Sequence, residues 1–178
     1  MQAAGANEAL FHYLLHSARL GDERARSDSI VILTAREIGK DIFYIVTYAS
    51  QQQQQVYVSM KVSQVSSGSW KVVSWGMMGG TEVGALPQKT PPELAWSSDC
   101  YSHVSYLAIA VLPNEREVRS VCLKENGGHV FDGQLENGAI YFILPLRLQK
   151  PFEVELFDAQ QRKVSQKTLG ATAKYPTT

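Results

Sequence analysis

An α+β fold is what this sequence predicts: one N-terminal helix on an antiparallel sheet, then a small β-sandwich. Three observations lead there. A single stretch near the N-terminus repeats apolar residues at helical spacing. From Ser29 onward, short apolar runs recur about every ten residues, separated by Gly, Asn, Asp and Pro. Between the two halves lies a segment with three prolines in six residues, which blocks helix and interior strand alike.

The helix is expected over residues 7–20. Asn7 is a candidate N-cap with Glu8 in the first turn, and Gly21 a stop signal. Leu10, Phe11, Leu14, Leu15 and Ala18 make its apolar face, which must lie on something apolar. Four strand-like runs follow. Ser29 to Arg36 is rich in Ile, Val and Leu, and Gly39-Lys40-Asp41 suits a hairpin turn into Ile42-Phe43-Tyr44-Ile45-Val46. Val56, Val58, Met60 and Val62 alternate with polar partners, the pattern of a half-buried strand. Ser66-Ser67-Gly68 then turns the chain into Trp70 to Trp75. Short connections predict an antiparallel meander, with the helix as cover for its apolar face.

Residues 85–98 read as a Pro-rich linker between a first domain at 1–84 and a second at 99–170, with a flexible tail at 171–178. The second domain holds apolar runs near Val104–Leu112, Glu117–Lys124, His129–Phe131, Ala139–Leu144, Phe152–Phe157 and Lys163–Leu169. Turns are marked by Pro113-Asn114, Asn126-Gly127-Gly128, Asn137-Gly138 and Asp158 to Arg162. That density of short strands suggests a sandwich of immunoglobulin-like architecture, without the Cys–Trp–Cys signature of antibody domains.

Composition narrows the function classes. The 178 residues are 44% hydrophobic and 19% charged, ordinary for a folded protein that needs neither metal nor disulfide to hold it. Lys plus Arg equals Asp plus Glu, 17 against 17. Nucleic-acid binding draws on clustered cations, and the densest group, Arg19 to Arg26, is diluted by Asp22 and Glu23. No apolar run approaches the roughly 18 residues of a membrane span. The N-terminus reads as the small, flexible start left when a secretory or lipoprotein signal is removed; a cytosolic start is the alternative. We expect a location outside the cytoplasm, secreted or held at the envelope, and a lipid anchor on the precursor fits that expectation. Cys100 and Cys122 have no metal-ligand spacing. With a turn near Pro113-Asn114, Cys122 would lie opposite about residue 105, so a bridge to Cys100 needs a bend. Two free, buried thiols are the preferred reading.

Few residues suggest chemistry. His12 and His16 have metal-compatible spacing but no third ligand, and they lie off the apolar face. No nucleophile elbow appears, and Ser102 and His103 point to opposite strand faces. Gly76-Met77-Met78-Gly79-Gly80-Thr81-Glu82-Val83-Gly84 is neither a phosphate loop nor a dinucleotide fingerprint; it reads as a connection between domains, or its methionines offer an adaptable contact surface. Trp70, Trp75 and Trp96 are candidates to line a sugar or peptide groove; strand parity sets Trp70 and Trp75 on opposite faces. The candidate contact residues are therefore Trp75, Met77, Met78, Thr81 and Trp96. Gln51 to Gln55 reads as a solvated hairpin tip that can be cut to two residues with folding intact.

The helix, the strand Gly68-Ser69-Trp70-Lys71-Val72-Val73-Ser74, the glycine-rich turn and the β-domain together resemble a group of uncharacterised secreted or lipid-anchored proteins of Gram-positive bacteria. The first half alone resembles cystatin-like or NTF2-like domains, departing from the latter in having one clear helix. The resemblance implies a location outside the cytoplasm and supplies no catalytic residues. The expected function is non-enzymatic: an envelope-associated binding or interaction protein, with a protein or peptide partner taken through strand edges, the Gly-Met segment or the interdomain groove. No cofactor is implied. A hydrolase with its site assembled between the two halves is the alternative, and a small-ligand cavity between helix and sheet is a second.

Overall fold

The structure, a computed structural model, describes residues 2–78, 93–101, 104–112, 118–126 and 128–170. Helix α1 (Gln2–His16) opens it, and a 3-10 segment follows at Ala18–Glu23. The helix starts before Asn7, so Asn7 is not its cap; its Oδ1 instead accepts the Tyr44 hydroxyl at 2.8 Å. Ser17 caps the 3-10 segment, its Oγ accepting from Arg19 N at 3.3 Å, so the α-helix ends earlier than the glycine signal implied. Ala6, Leu10 and Leu14 are buried, whereas Phe11, expected on the same face, is 37% exposed.

Strands β1 (Val31–Ile38), β2 (Asp41–Ala49), β3 (Gln55–Ser66) and β4 (Ser69–Met77) form the expected antiparallel meander in the order β1-β2-β3-β4. The helix covers one face, packing on Tyr44, Val46, Tyr48, Val58 and Met60. β3 alternates buried and half-buried residues, as its sequence predicts. β2 is different: it is buried on both faces from Ile42 to Tyr48. That is the physical meaning of its unbroken apolar run, since a strand in an inner layer has no wet side.

β4 corrects the tryptophan reading. Val62 pairs with Val72 but Lys61 pairs with Ser74, so Val73 is an extra residue, a β-bulge. One inserted residue shifts the period-2 alternation. Trp70, Val72 and Trp75 consequently all pack against the helix-side core, and the tryptophans share a face.

The rest of the chain is β5 (Glu93–Tyr101), β6 (Val104–Leu112), β7 (Ser120–Glu125), β8 (Val130–Gln134), β9 (Ala139–Leu144), β10 (Phe152–Phe157) and β11 (Lys163–Leu169). These make two antiparallel sheets, β5-β6-β9 and β11-β10-β7-β8. Leu107, Ile109, Leu123, Phe142, Phe152, Val154 and Leu156 fill the space between them. β5 begins at Glu93, so residues 93–98 of the expected linker are strand; residues 85–92 lie outside the described residues, as does the tail at 171–178. β6 and β7 do not pair. Cys122 lies opposite Asp132 and Glu155, while Ser105 lies between Cys100 and Leu144. Both cysteines are free, with Cys122 buried and Cys100 exposed.

The other face of β5-β6-β9 presents Ala95, Ala108, Ala110 and Ala139 to Ile45 and Met78 of the first sheet and its border. The layers therefore stack as helix, β1–β4, β5-β6-β9 and β11-β10-β7-β8. Mostly antiparallel sheet with one N-terminal helix, this is an α+β structure.

Candidate functional site

The contact between the first sheet and β5-β6-β9 changes character along the strands. At one end the four alanines bring the sheets close. Two residues along the same faces stand Phe43 before Ile45, Tyr106 before Ala108 and Tyr141 after Ala139. Phe43 stacks on Tyr106 with centroids 5.1 Å apart and 17° between planes, and meets Tyr141 at 5.3 Å. These rings prop the sheets apart and leave a cleft of about 500 Å³ between β3–β4 and β5-β6-β9.

Its polar lining comes from the same register. β3 contributes Ser59 and Lys61, and β5 contributes Ser97 and Asp99. The Ser59 and Ser97 hydroxyls lie 2.6 Å apart and join the two sheets at the narrow end. Lys61 Nζ sits 2.8 Å from Asp41 Oδ2 and 5.6 Å above the Phe43 ring, so its position is fixed. Burial pushes the Asp41 carboxyl up, but hydrogen bonds from Lys61 and Ser63 and the Lys61 charge outweigh it and hold it below the usual carboxylate range. Burial, with Asp99 and Tyr106 nearby, pushes the Tyr141 phenol well up. At neutral pH Asp41 is thus an anion locked to Lys61, and Tyr141 a permanent hydroxyl. The arrangement can stack, donate and accept hydrogen bonds, and present a neutralised ion pair.

The expected contact residues do not converge. Trp75 is half-buried; its position borders this cleft, but its ring lies on the helix-side face, 6.4 Å from the Tyr13 ring. Met77, beside it, is 41% exposed. Met78 is buried in the interlayer core, its amide donating to Tyr57 O at 2.9 Å. Trp96 faces the other way, edge-on to Phe152 at 5.6 Å with Lys150 Nζ above it at 5.2 Å. Thr81 lies outside the described residues. Of the described candidates only Trp75 borders the cleft, and its ring faces away from it; Phe43, Lys61, Asp99, Tyr106 and Tyr141 escaped sequence reasoning as site residues. The available signal was the two-faced burial implied by the unbroken apolar runs of β2 and β6, which requires a third layer and hence an interface.

The remaining candidates are simpler. His12 and His16 are exposed, with rings 5.0 Å apart. Among the described residues, no group of three or more His, Cys, Asp or Glu is placed to hold a metal ion, and no helix is long and apolar enough to cross a membrane. Leu10, Leu14, Tyr44 and Tyr48 fill the space beneath the helix. A larger hollow of about 790 Å³ runs along the helix flank beside Trp70 and Lys71 but is more open to solvent. Burial pushes the Cys122 thiol up to about 11, with Asp132 adding to the shift, so it is a poor nucleophile at neutral pH. No protein-family model, curated protein or solved structure matches this chain.

Proposed function

We propose that this chain is a non-enzymatic binding module whose ligand site is the cleft between β3–β4 and β5-β6-β9. One observation carries the reading: the rings of Phe43, Tyr106 and Tyr141 line a half-enclosed space together with Lys61, whose charge is paired to Asp41 behind it. Such a lining, apolar walls with a few placed polar groups, suits recognition. A general acid or base needs a group poised near neutrality, and Asp41 and Tyr141 are shifted away from it.

The fold reading behind this proposal treats β5–β11 as an immunoglobulin-like sandwich. Seven strands divided as β5-β6-β9 and β11-β10-β7-β8, with the chain changing sheets between β6 and β7, support it. The helix and four-stranded meander support the cystatin-like resemblance of the first half. The resemblance to secreted or lipid-anchored proteins supports a location outside the cytoplasm; cell fractionation with an antibody against the chain checks this, with envelope or culture fluid as the expected fraction.

Soaking crystals of the protein with a fragment library tests the site. Fragments are expected to collect against Phe43, Tyr106 and Tyr141. A consistent cluster elsewhere, such as the helix flank at Trp70, would overturn it.

A further inference from the structure

Resting on that reading of the cleft, we infer that its ligand is a neutral carbohydrate chain. The first argument is charge. Lys61 is neutralised by Asp41 at 2.8 Å, and Asp99 is the remaining ionisable acid lining the cleft among the described residues. With no unpaired cation among the described lining residues, the site repels anionic ligands and gives them nothing to bind.

The second argument is the inventory of donors and acceptors. Ser74, Tyr106 and Tyr141 line the cleft, and their hydroxyls have no hydrogen-bond partner among the described residues. Each hydroxyl both donates and accepts. Uncharged groups that donate and accept, set beside half-buried aromatic rings, match a pyranose: hydroxyls around its edge, C–H bonds on its faces.

The third argument weighs against a peptide. An extended peptide would add to a sheet edge, and the strands flanking the cleft, β4 and β5, are both edge strands. Each edge is blunted where it borders the cleft. β4 carries the Val73 bulge, which breaks its ladder there. On β5 the Cys100 amide is taken by Asp99 Oδ1 at 2.8 Å. Backbone pairing, the main source of affinity in strand addition, is thus withheld on both sides.

The test uses the full chain and a panel of neutral tetrasaccharides of gluco-, galacto-, manno- and N-acetylglucosamine type, read by calorimetry. Anionic uronic-acid tetrasaccharides and a mixed extended-peptide library run beside them. Gly76→Trp is the blocking variant, because a β-carbon at Gly76 meets only the Ser59 hydroxyl at 3.8 Å while the indole fills the cleft. At least one neutral sugar is expected to bind, its affinity falling about tenfold or more in Gly76→Trp and in the uronic-acid counterpart. Circular dichroism and melting of the variant confirm that it folds. Should peptides or uronic acids bind the wild type but not Gly76→Trp while neutral sugars do not, the cleft reading stands and the carbohydrate inference falls. Should Gly76→Trp change the binding of none of these probes, both fall.

Discussion

At Gly133 a β-carbon would stand 2.1 Å from Ile140 Cδ1 and 3.2 Å from two atoms of the Phe142 ring. β8 crosses β9 there with no room for a side chain. Ile140 can swing its terminal methyl, but Phe142 closes the other direction. Gly133→Ala is expected to cost about 1–3 kcal/mol, the usual scale of overpacking, measured by urea denaturation; an unchanged midpoint would show the two sheets yield easily. Glu155 gives a second residue-scale prediction. Its carboxylate bonds Lys124 Nζ at 2.7 Å and Lys163 Nζ at 3.2 Å, and the Lys124 bond, ahead of the opposing burial, holds it below the usual range. A carboxylate with a lowered folded-state pKa stabilises above its unfolded value and loses that contribution as pH falls through the folded one. Wild type should therefore exceed Glu155→Gln in stability at neutral pH, with the gap closing below about pH 4. A gap independent of pH would mean the pair contributes packing rather than charge.

Among the elements, β4 is the most instructive. Deleting Val73 would remove the extra residue and leave Trp70 and Trp75 four positions apart, so regular alternation keeps both on the helix-side face in their present register with β3. The expected outcome is a stability change within about 1 kcal/mol and an unshifted tryptophan emission. A red-shifted emission would mean that half of the strand flips and that Val73 is not the inserted residue. The glutamine tip is less free than its composition suggests. Gln51 N donates to Arg24 O at 3.0 Å and Gln51 Nε2 to Ala25 O at 3.1 Å, tying the hairpin to the chain after the 3-10 segment. Cutting Gln51 to Gln54 down to Asn-Gly should leave the fold intact but lower the melting temperature by a few degrees.

These elements also mark how far the sequence is legible. Strand existence and most turns are local properties, so the meander and the Asn137-Gly138 turn, with φ of 47° and 77°, were readable. What a turn joins is not local. Asn137-Gly138 closes the Glu136–Ala139 bridge, yet the strands on either side enter different sheets. The bulge was hidden for the same reason: Val73 is an ordinary strand residue until its pairing with β3 is known. The cleft was less legible still, because Phe43, Lys61, Asp99 and Tyr141 come from four strands and look like core or surface residues one at a time.

Viewed whole, the molecule is organised by the alanine contact between its two middle layers. Thr34 Oγ1 to Glu136 at 2.8 Å, Arg36 Nη1 to Tyr141 O at 3.1 Å and Asn137 Nδ2 to Leu33 O at 3.0 Å tether β1 to the β8–β9 corner. With apolar packing on one side and these bonds on another, the cleft walls are preformed, which lowers the ordering cost of binding. Wedging the layers apart should show this. Ala108→Leu, at a fully buried site, is expected to destabilise by about 1–3 kcal/mol and to weaken whatever binds in the cleft. The most direct check on the cleft as binding site is a heteronuclear NMR titration of wild type and Gly76→Trp with the same fragment and tetrasaccharide set. Amide shifts gathered at Phe43, Ser59, Lys61, Ser97, Tyr106 and Tyr141 in wild type, and lost in Gly76→Trp, are the predicted result. Shifts gathered on another surface, or equally large in Gly76→Trp, would contradict it.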